Sequence, residues 1–278
     1  MRRLVAGAVV WLGCAFPAHA QLPFYTDDPA VTERGKFHFE FFNEYDVLQL
    51  QDPNLRQNTA NYKLNYGLPH NLELDIDTPY LAIFRAVGTD GSTGIGDTNL
   101  GIKWEFHKEG KGSRAPAMGV SLYIEFPTGD SNQQLGSGLV DFWLNWIAQK
   151  SITDKTRVNG NLGYLFAGNT STGVLGIQTA RGHVVTAGLS MLHDFTPKLT
   201  LGGELYGGYS NNDDLGRSQF QSLVGGIYQV RNGFAISLGA LGGKFVASPR
   251  FGIQFGIALD FSDLFQKSAE GRHDLVRF

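Results

Sequence analysis

Apolar and polar residues alternate along most of the chain. Between 251 and 261 the odd positions are Phe251, Ile253, Phe255, Ile257, Leu259 and Phe261, and the even positions are Gly252, Gln254, Gly256, Ala258 and Asp260. Successive side chains of an extended backbone point to opposite sides, so a period of two marks a strand with one apolar face and one small or polar face. In 118–126, Met118, Val120, Leu122, Ile124 and Phe126 oppose Gly119, Ser121, Tyr123 and Glu125; in 97–106, Leu100, Ile102, Trp104 and Phe106 oppose Asp97, Asn99, Lys103 and Glu105. Segments 72–77 and 199–209 repeat the pattern. Extending it predicts about twelve strands, near 36–48, 59–67, 72–84, 96–107, 115–126, 138–150, 156–166, 181–194, 198–209, 217–230, 233–243 and 250–262.

The connectors alternate in length. Those at 68–71, 108–114, 151–155, 195–197 and 231–232 are short, whereas 49–58, 85–95, 127–137, 167–180, 210–216 and 244–249 are mostly longer. Strands of this length joined by short and long connectors in turn predict an all-β fold: a transmembrane antiparallel up-and-down β-barrel of about 12 strands, with short turns and chain ends on the periplasmic side and long loops facing outward. A soluble sandwich shares the period but averages only about five to six residues per strand. It also gives no reason for aromatics near strand ends, where Phe84, Phe106, Phe126, Phe166, Phe195, Tyr209, Phe234 and Phe261 would form an interfacial girdle. Twelve strands about 4.8 Å apart and tilted by about 40° give a backbone radius of roughly 12 Å, which after side chains are placed leaves a passage for small molecules at most.

Composition sharpens this picture. Glycine is 36 of 278 residues and aromatics are 12%. Glycine within strands, such as Gly202, Gly225 and Gly256, needs a reason; relief of crowding on a concave inner face supplies one. The formal net charge of −3 excludes a nucleic-acid binder of the basic-patch kind, and one cysteine excludes a disulfide scaffold. Residues 1–20 read as a secretory signal peptide: Arg2 and Arg3, an apolar run over 4–16, then Ala18-His19-Ala20 before the cleavage point. Cleavage after Ala20 removes Cys14 and leaves 21 basic and 26 acidic residues. Beyond it no apolar run is long enough for a membrane-spanning helix.

Three short motifs occur in order: Tyr25-Thr26-Asp27-Asp28-Pro29, then Gly94-Ile95-Gly96-Asp97 followed by Thr98-Asn99-Leu100-Gly101, then Phe126-Pro127-Thr128-Gly129-Asp130. In this order and spacing the chain resembles the outer-membrane transporter family of the meta-pathway of phenol degradation. The resemblance implies a Gram-negative outer-membrane barrel associated with uptake of aromatic or other hydrophobic compounds, and brings no catalytic residues. One departure stands out. Outer-membrane chains commonly end on an aromatic in the last strand. Here the last alternating segment stops near Phe261 or Phe265, and a polar tail at 266–278 ends in Phe278.

If the apolar set faces lipid, the polar set faces inward. The lumen candidates are Glu40, Glu44, Lys63, Glu73, Asp75 and Asp77, together with Asp97, Lys103, Glu105, Glu125 and Glu204. His38, Asp46, Asn61, Asn65, Gln254 and Asp260 share their register. Such a set is either a salt-bridge network filling a narrow barrel or a polar conduit with cation preference. The segment 21–35, ahead of the first strand, carries Phe24, Tyr25, Asp27 and Asp28 and is read as a periplasmic or lumen-plugging latch; the barrel itself is assigned to 36–265.

Candidate chemistry is sparse. Ser190 and His193 lie three apart, so on one strand they point to opposite faces, and no Gly-x-Ser-x-Gly elbow occurs. Asp27-Asp28 and Asn211-Asn212-Asp213-Asp214 lack EF-hand spacing, and Gly94-x-Gly96 precedes no helix. No cofactor or metal site is therefore expected. The expected partners are outer-membrane lipids, a small-molecule solute and the barrel-assembly machinery, with no nucleic acid. The expected function is passive passage of small, aromatic or hydrophobic solutes; the alternative is a closed structural or adhesion barrel whose loops bind a partner.

Overall fold

The computed structural model describes residues 22–49, 54–167, 182–210, 212 and 218–261. The expected signal peptide with its cleavage point and the tail after Phe261 lie outside these residues, and the last described strand ends at Asp260. Thirteen strands are present among the described residues: β1 (Phe37–Val47), β2 (Asn54–Leu68), β3 (Leu72–Arg85), β4 (Ser92–Ile95), β5 (Thr98–His107), β6 (Ala117–Phe126), β7 (Asp141–Thr153), β8 (Thr156–Ala167), β9 (Gly182–Thr196), β10 (Leu199–Ser210), β11 (Ser218–Arg231), β12 (Phe234–Lys244) and β13 (Phe251–Asp260). All named pairings are antiparallel, and β1 pairs with both β2 and β13, so the sheet closes on itself.

The strand expected at 96–107 is β5, and the connector expected at 85–95 holds a further short strand, β4. β3 pairs with β5 from Leu72↔Trp104 to Asp77↔Asn99, and then with β4 from Tyr80↔Ile95 to Ile83↔Ser92. β4 and β5 thus share one position in the ring, which has twelve positions. The break between them has a local cause. Pro79 lies at the junction and has no N–H to give a ladder. The Gly96 amide donates to the Pro79 carbonyl at 2.8 Å, while the Asp97 carboxylate turns away to accept from loop amides.

Burial is inverted relative to a water-soluble domain. The alternating apolar residues lie outside: Val224 is 65% exposed and Leu238 66%, and Phe84, Phe106, Phe126, Phe195 and Tyr209 are exposed near strand ends. The opposite face of the same strands buries Glu44, Asp46, Glu73, Asp75, Lys103, Glu204 and Gln254. Contiguous exposed apolar surface on this scale belongs against hydrocarbon, and ionised groups at midplane must face inward.

The inner glycines serve more than curvature, because their missing side chains leave room for the segment before β1. A Cβ at Gly225 would come within 2.6 Å of Pro23, one at Gly239 within 2.9 Å of Pro23, one at Gly256 within 2.9 Å of Leu22 and one at Gly188 within 2.7 Å of Thr26. The segment leaves the barrel at the short-turn end. There Gly35 donates to the Gly67 carbonyl at 2.8 Å, and a Cβ at Gly67 would collide with the Glu33 carbonyl oxygen.

Candidate functional site

The interior is built around residues 22–35. Phe24 is 5% exposed and packs on Leu192 of β9, Leu223 of β11 and Leu241 of β12. These three leucines occupy inward positions that the alternation assigns to polar residues. The next residues are held by wall carboxylates. Glu204 of β10 accepts the backbone N–H of Tyr25 at 3.1 Å and of Thr26 at 2.5 Å. The Tyr25 hydroxyl donates to Glu44 of β1, which also accepts from Gln254 of β13 at 2.8 Å. Glu73 of β3 accepts the Thr32 N–H at 2.5 Å. The Lys103 ammonium on β5 stands 3.3 Å from Glu73 and 3.5 Å from Asp27. Asp28 turns on its own segment and accepts the Ala30 N–H at 2.9 Å. Backbone amides that have no sheet partner thus find acceptors on the wall, as buried polar groups require.

The wall places inward residues in register rows. Following the pairings from strand to strand, Glu40, Lys63, Asp77, Asn99, Glu125 and Asp141 form one row across β1, β2, β3, β5, β6 and β7. The adjacent row holds His38, Asn65, Asp75, Gly101, Tyr123 and Trp143. In this second row the Tyr123 ring leans across Gly101, where a Cβ would meet it at 2.2 Å, and its hydroxyl donates to Asp75 at 3.0 Å. The rings of Tyr123 and Trp143 are 6.1 Å apart, and those of Tyr25 and Tyr206 are 6.0 Å apart. His38 lies between Asp260 at 2.6 Å and Glu40 at 3.1 Å.

At the long-loop end, the segment between β6 and β7 folds back over the interior instead of projecting outward as a free loop. Leu135 packs on Leu81 and Ile83. The Asp97 carboxylate accepts the N–H of Gly129 at 3.0 Å and of Ser137 at 2.6 Å, and the Thr128 hydroxyl donates to the Gly96 carbonyl at 2.8 Å. Two of the three sequence motifs therefore meet here, while the third, at 25–29, lies in the inner segment.

Between the inner segment, the cap and a wall formed mainly by β1–β8, with Tyr206 of β10, lies a cavity of about 350 Å³. Of the sequence candidates, Glu40, Glu44, Lys63, Glu73, Asp77, Asp97, Lys103 and Glu125 line it, as do Phe24, Tyr25, Asp27 and Asp28. Asp75 sits behind Tyr123, Glu204 is taken up by the inner segment, and Glu105 lies at the short-turn end, 3.3 Å from Lys108. The alternation gave no sign of the apolar and aromatic lining: Phe42, Leu81, Leu135, Trp143, Leu165 and Tyr206. Ser190 points inward and accepts from Asn159 at 3.1 Å, while His193 on the other face pairs with Thr156 at 2.8 Å.

A closed antiparallel ring with an apolar exterior and a polar, segment-filled interior is the architecture of outer-membrane β-barrels. The chain belongs to the family described as "Putative MetA-pathway of phenol degradation", whose model matches residues 26–267. No curated protein matches the sequence. Among solved structures it is similar to the NanC porin, with a TM-score of 0.55 and 6% identity over 80% of this chain and 98% of that one. It is also similar to the KdgM porin, with a TM-score of 0.51 and 9% identity over 80% and 98%. The translocator domain of the autotransporter NalP from Neisseria meningitidis gives a TM-score of 0.50 and 11% identity over 83% and 89%. At these identities the likeness is one of fold.

Proposed function

We propose that the protein is a passive channel for small solutes of about the size of one aromatic ring, in the bacterial outer membrane, with its short turns toward the periplasm. The observation that carries this reading is the 350 Å³ cavity inside the ring, lined by aromatic rings and polar side chains together. Its volume falls near the low end of the roughly 300–1,000 Å³ of small-molecule sites. Rings that stack and carboxylates or amides that orient are the combination a small amphipathic solute needs. The family's association with phenol degradation agrees with aromatic cargo. No energy source is needed, because the concentration gradient drives passage, and catalysis plays no part in this reading.

In this reading the inner segment 22–35 is a plug. It is tied to the wall by polar contacts at Glu44, Glu73, Glu204 and Lys103, and it fills the β9–β13 side of the lumen. Passage then requires the plug to shift. The same tight filling favours a second reading, a closed barrel with a structural or adhesive role. Liposome swelling with a size series of sugars and water-soluble aryl glycosides separates the two. The channel reading expects swelling by the smallest sugars and a disproportionate rate for the aryl glycosides. A barrel that gives neither swelling nor conductance, even after deletion of residues 22–33, is sealed, and the channel reading fails.

A further inference from the structure

The charges facing the cavity are segregated, and their arrangement bears on which solutes the channel admits. Nine carboxylates and two lysines line the cavity among the described residues. Lys63 lies on β2, and Lys103 on β5 is turned toward β3 and the plug. Lys103 is committed to Glu73 and Asp27 at 3.3 and 3.5 Å, and Lys63 lies in register between Glu40 and Asp77. Beyond Asp77 the same row continues through Asn99 to Glu125 and Asp141 with no cationic member, and Asp97 adds a further carboxylate at the cap. This acidic arc runs beside the shelf formed by Tyr123 and Trp143, one register row away.

Carboxylates beside aromatic faces attract a cation twice over, through their charge and through the negative face of the ring. A confined passage lined by one sign of charge concentrates counter-ions and repels co-ions. We propose that the row Asp77–Asn99–Glu125–Asp141 is the channel's selectivity element. It admits neutral and positively charged small solutes, including aryl ammonium ions, and turns back aryl carboxylates and sulfonates. This inference rests on the channel reading given above and adds the charge class of the cargo.

The test uses the full-length mature protein in planar bilayers, under separate concentration gradients of potassium chloride, phenyltrimethylammonium chloride and potassium benzenesulfonate. The two aryl ions carry permanent and opposite charges on the same ring. The reversal potential is expected to report a preference of about tenfold for cations over anions, for the inorganic and the aryl ions alike. Glu125→Gln with Asp141→Asn is expected to reduce that ratio at least several-fold while the conductance persists; Glu125→Gln alone gives a smaller shift in the same direction and covers the case in which the double variant folds poorly. A conducting channel with no cation preference, or a preference that the variants leave unchanged, overturns the selectivity assignment and leaves the channel reading intact. Absence of conductance from wild type and from the deletion of residues 22–33 removes the channel reading, and this inference with it.

Discussion

Replacing Phe24 by alanine tests whether the inner segment is what closes the barrel. The ring is nearly fully buried and packs on Leu192, Leu223 and Leu241, which come from three different strands. Truncating a buried phenylalanine costs about 3–5 kcal/mol in a packed core. Phe24 also lines the cavity, so the space its loss leaves joins an existing hollow and the lower figure, about 3 kcal/mol, applies. At about 1.4 kcal/mol per factor of ten, docking of the segment weakens roughly 100-fold. None of that energy belongs to the pairing of the wall, because Phe24 precedes β1. Single-channel recording is the assay, with heat-modifiable gel mobility as the check that the ring is intact. The expected outcome is a large rise in time spent in the conducting state, approaching that of the deletion of residues 22–33, with unchanged mobility. If the substitution and the deletion both leave conductance and dwell times as in the wild type, the segment is not the gate.

Two further outcomes follow from the same geometry. Gly188→Val places methyl groups where the Thr26 hydroxyl lies 2.7 Å from an added Cβ, so it should lift the segment and raise conductance without lowering the heat-modifiable fraction. Val224→Arg puts a charge on the exposed outer face near the middle of β11, at a cost of about 2–4 kcal/mol if the residue is at midplane, and should lower the yield of folded barrel in lipid vesicles; equal yields for Val224→Arg and wild type would contradict the assignment of that face to lipid.

Much of the wall is legible in the sequence because two-residue periodicity is a local property. Phe251, Ile253 and Phe255 alternate with Gly252, Gln254 and Gly256 whatever else is nearby, and they project as that alternation requires. The interior is less legible, because its logic is set by contacts far apart in the chain. Leu192, Leu223 and Leu241 stand at inward positions that look like errors in the pattern until Phe24 arrives from 168 or more residues away to cover them. Gly225 and Gly256 read as curvature devices, yet the space they leave is taken by Pro23 and Leu22. The break between β4 and β5 depends on Pro79 opposite and on Asp97 finding its acceptor role with Gly129 and Ser137, none of which the apolar stripe reports. Leu135, within a stretch that reads as an outward loop, turns in because Leu81 and Ile83 offer it an apolar seat.

The strict in-and-out alternation also separates two kinds of selection within a single ribbon. In β11 the inward Gln219, Gln221, Leu223, Gly225 and Ile227 interleave with the outward Phe220, Ser222, Val224, Gly226 and Tyr228. Exchanges in the first set re-tailor the hollow, while exchanges in the second adjust only the fit to the surrounding lipid. A lineage can therefore drift toward new cargo one inner residue at a time, its anchorage untouched, whereas loss of a single residue from the ribbon would swap the two sets at a stroke.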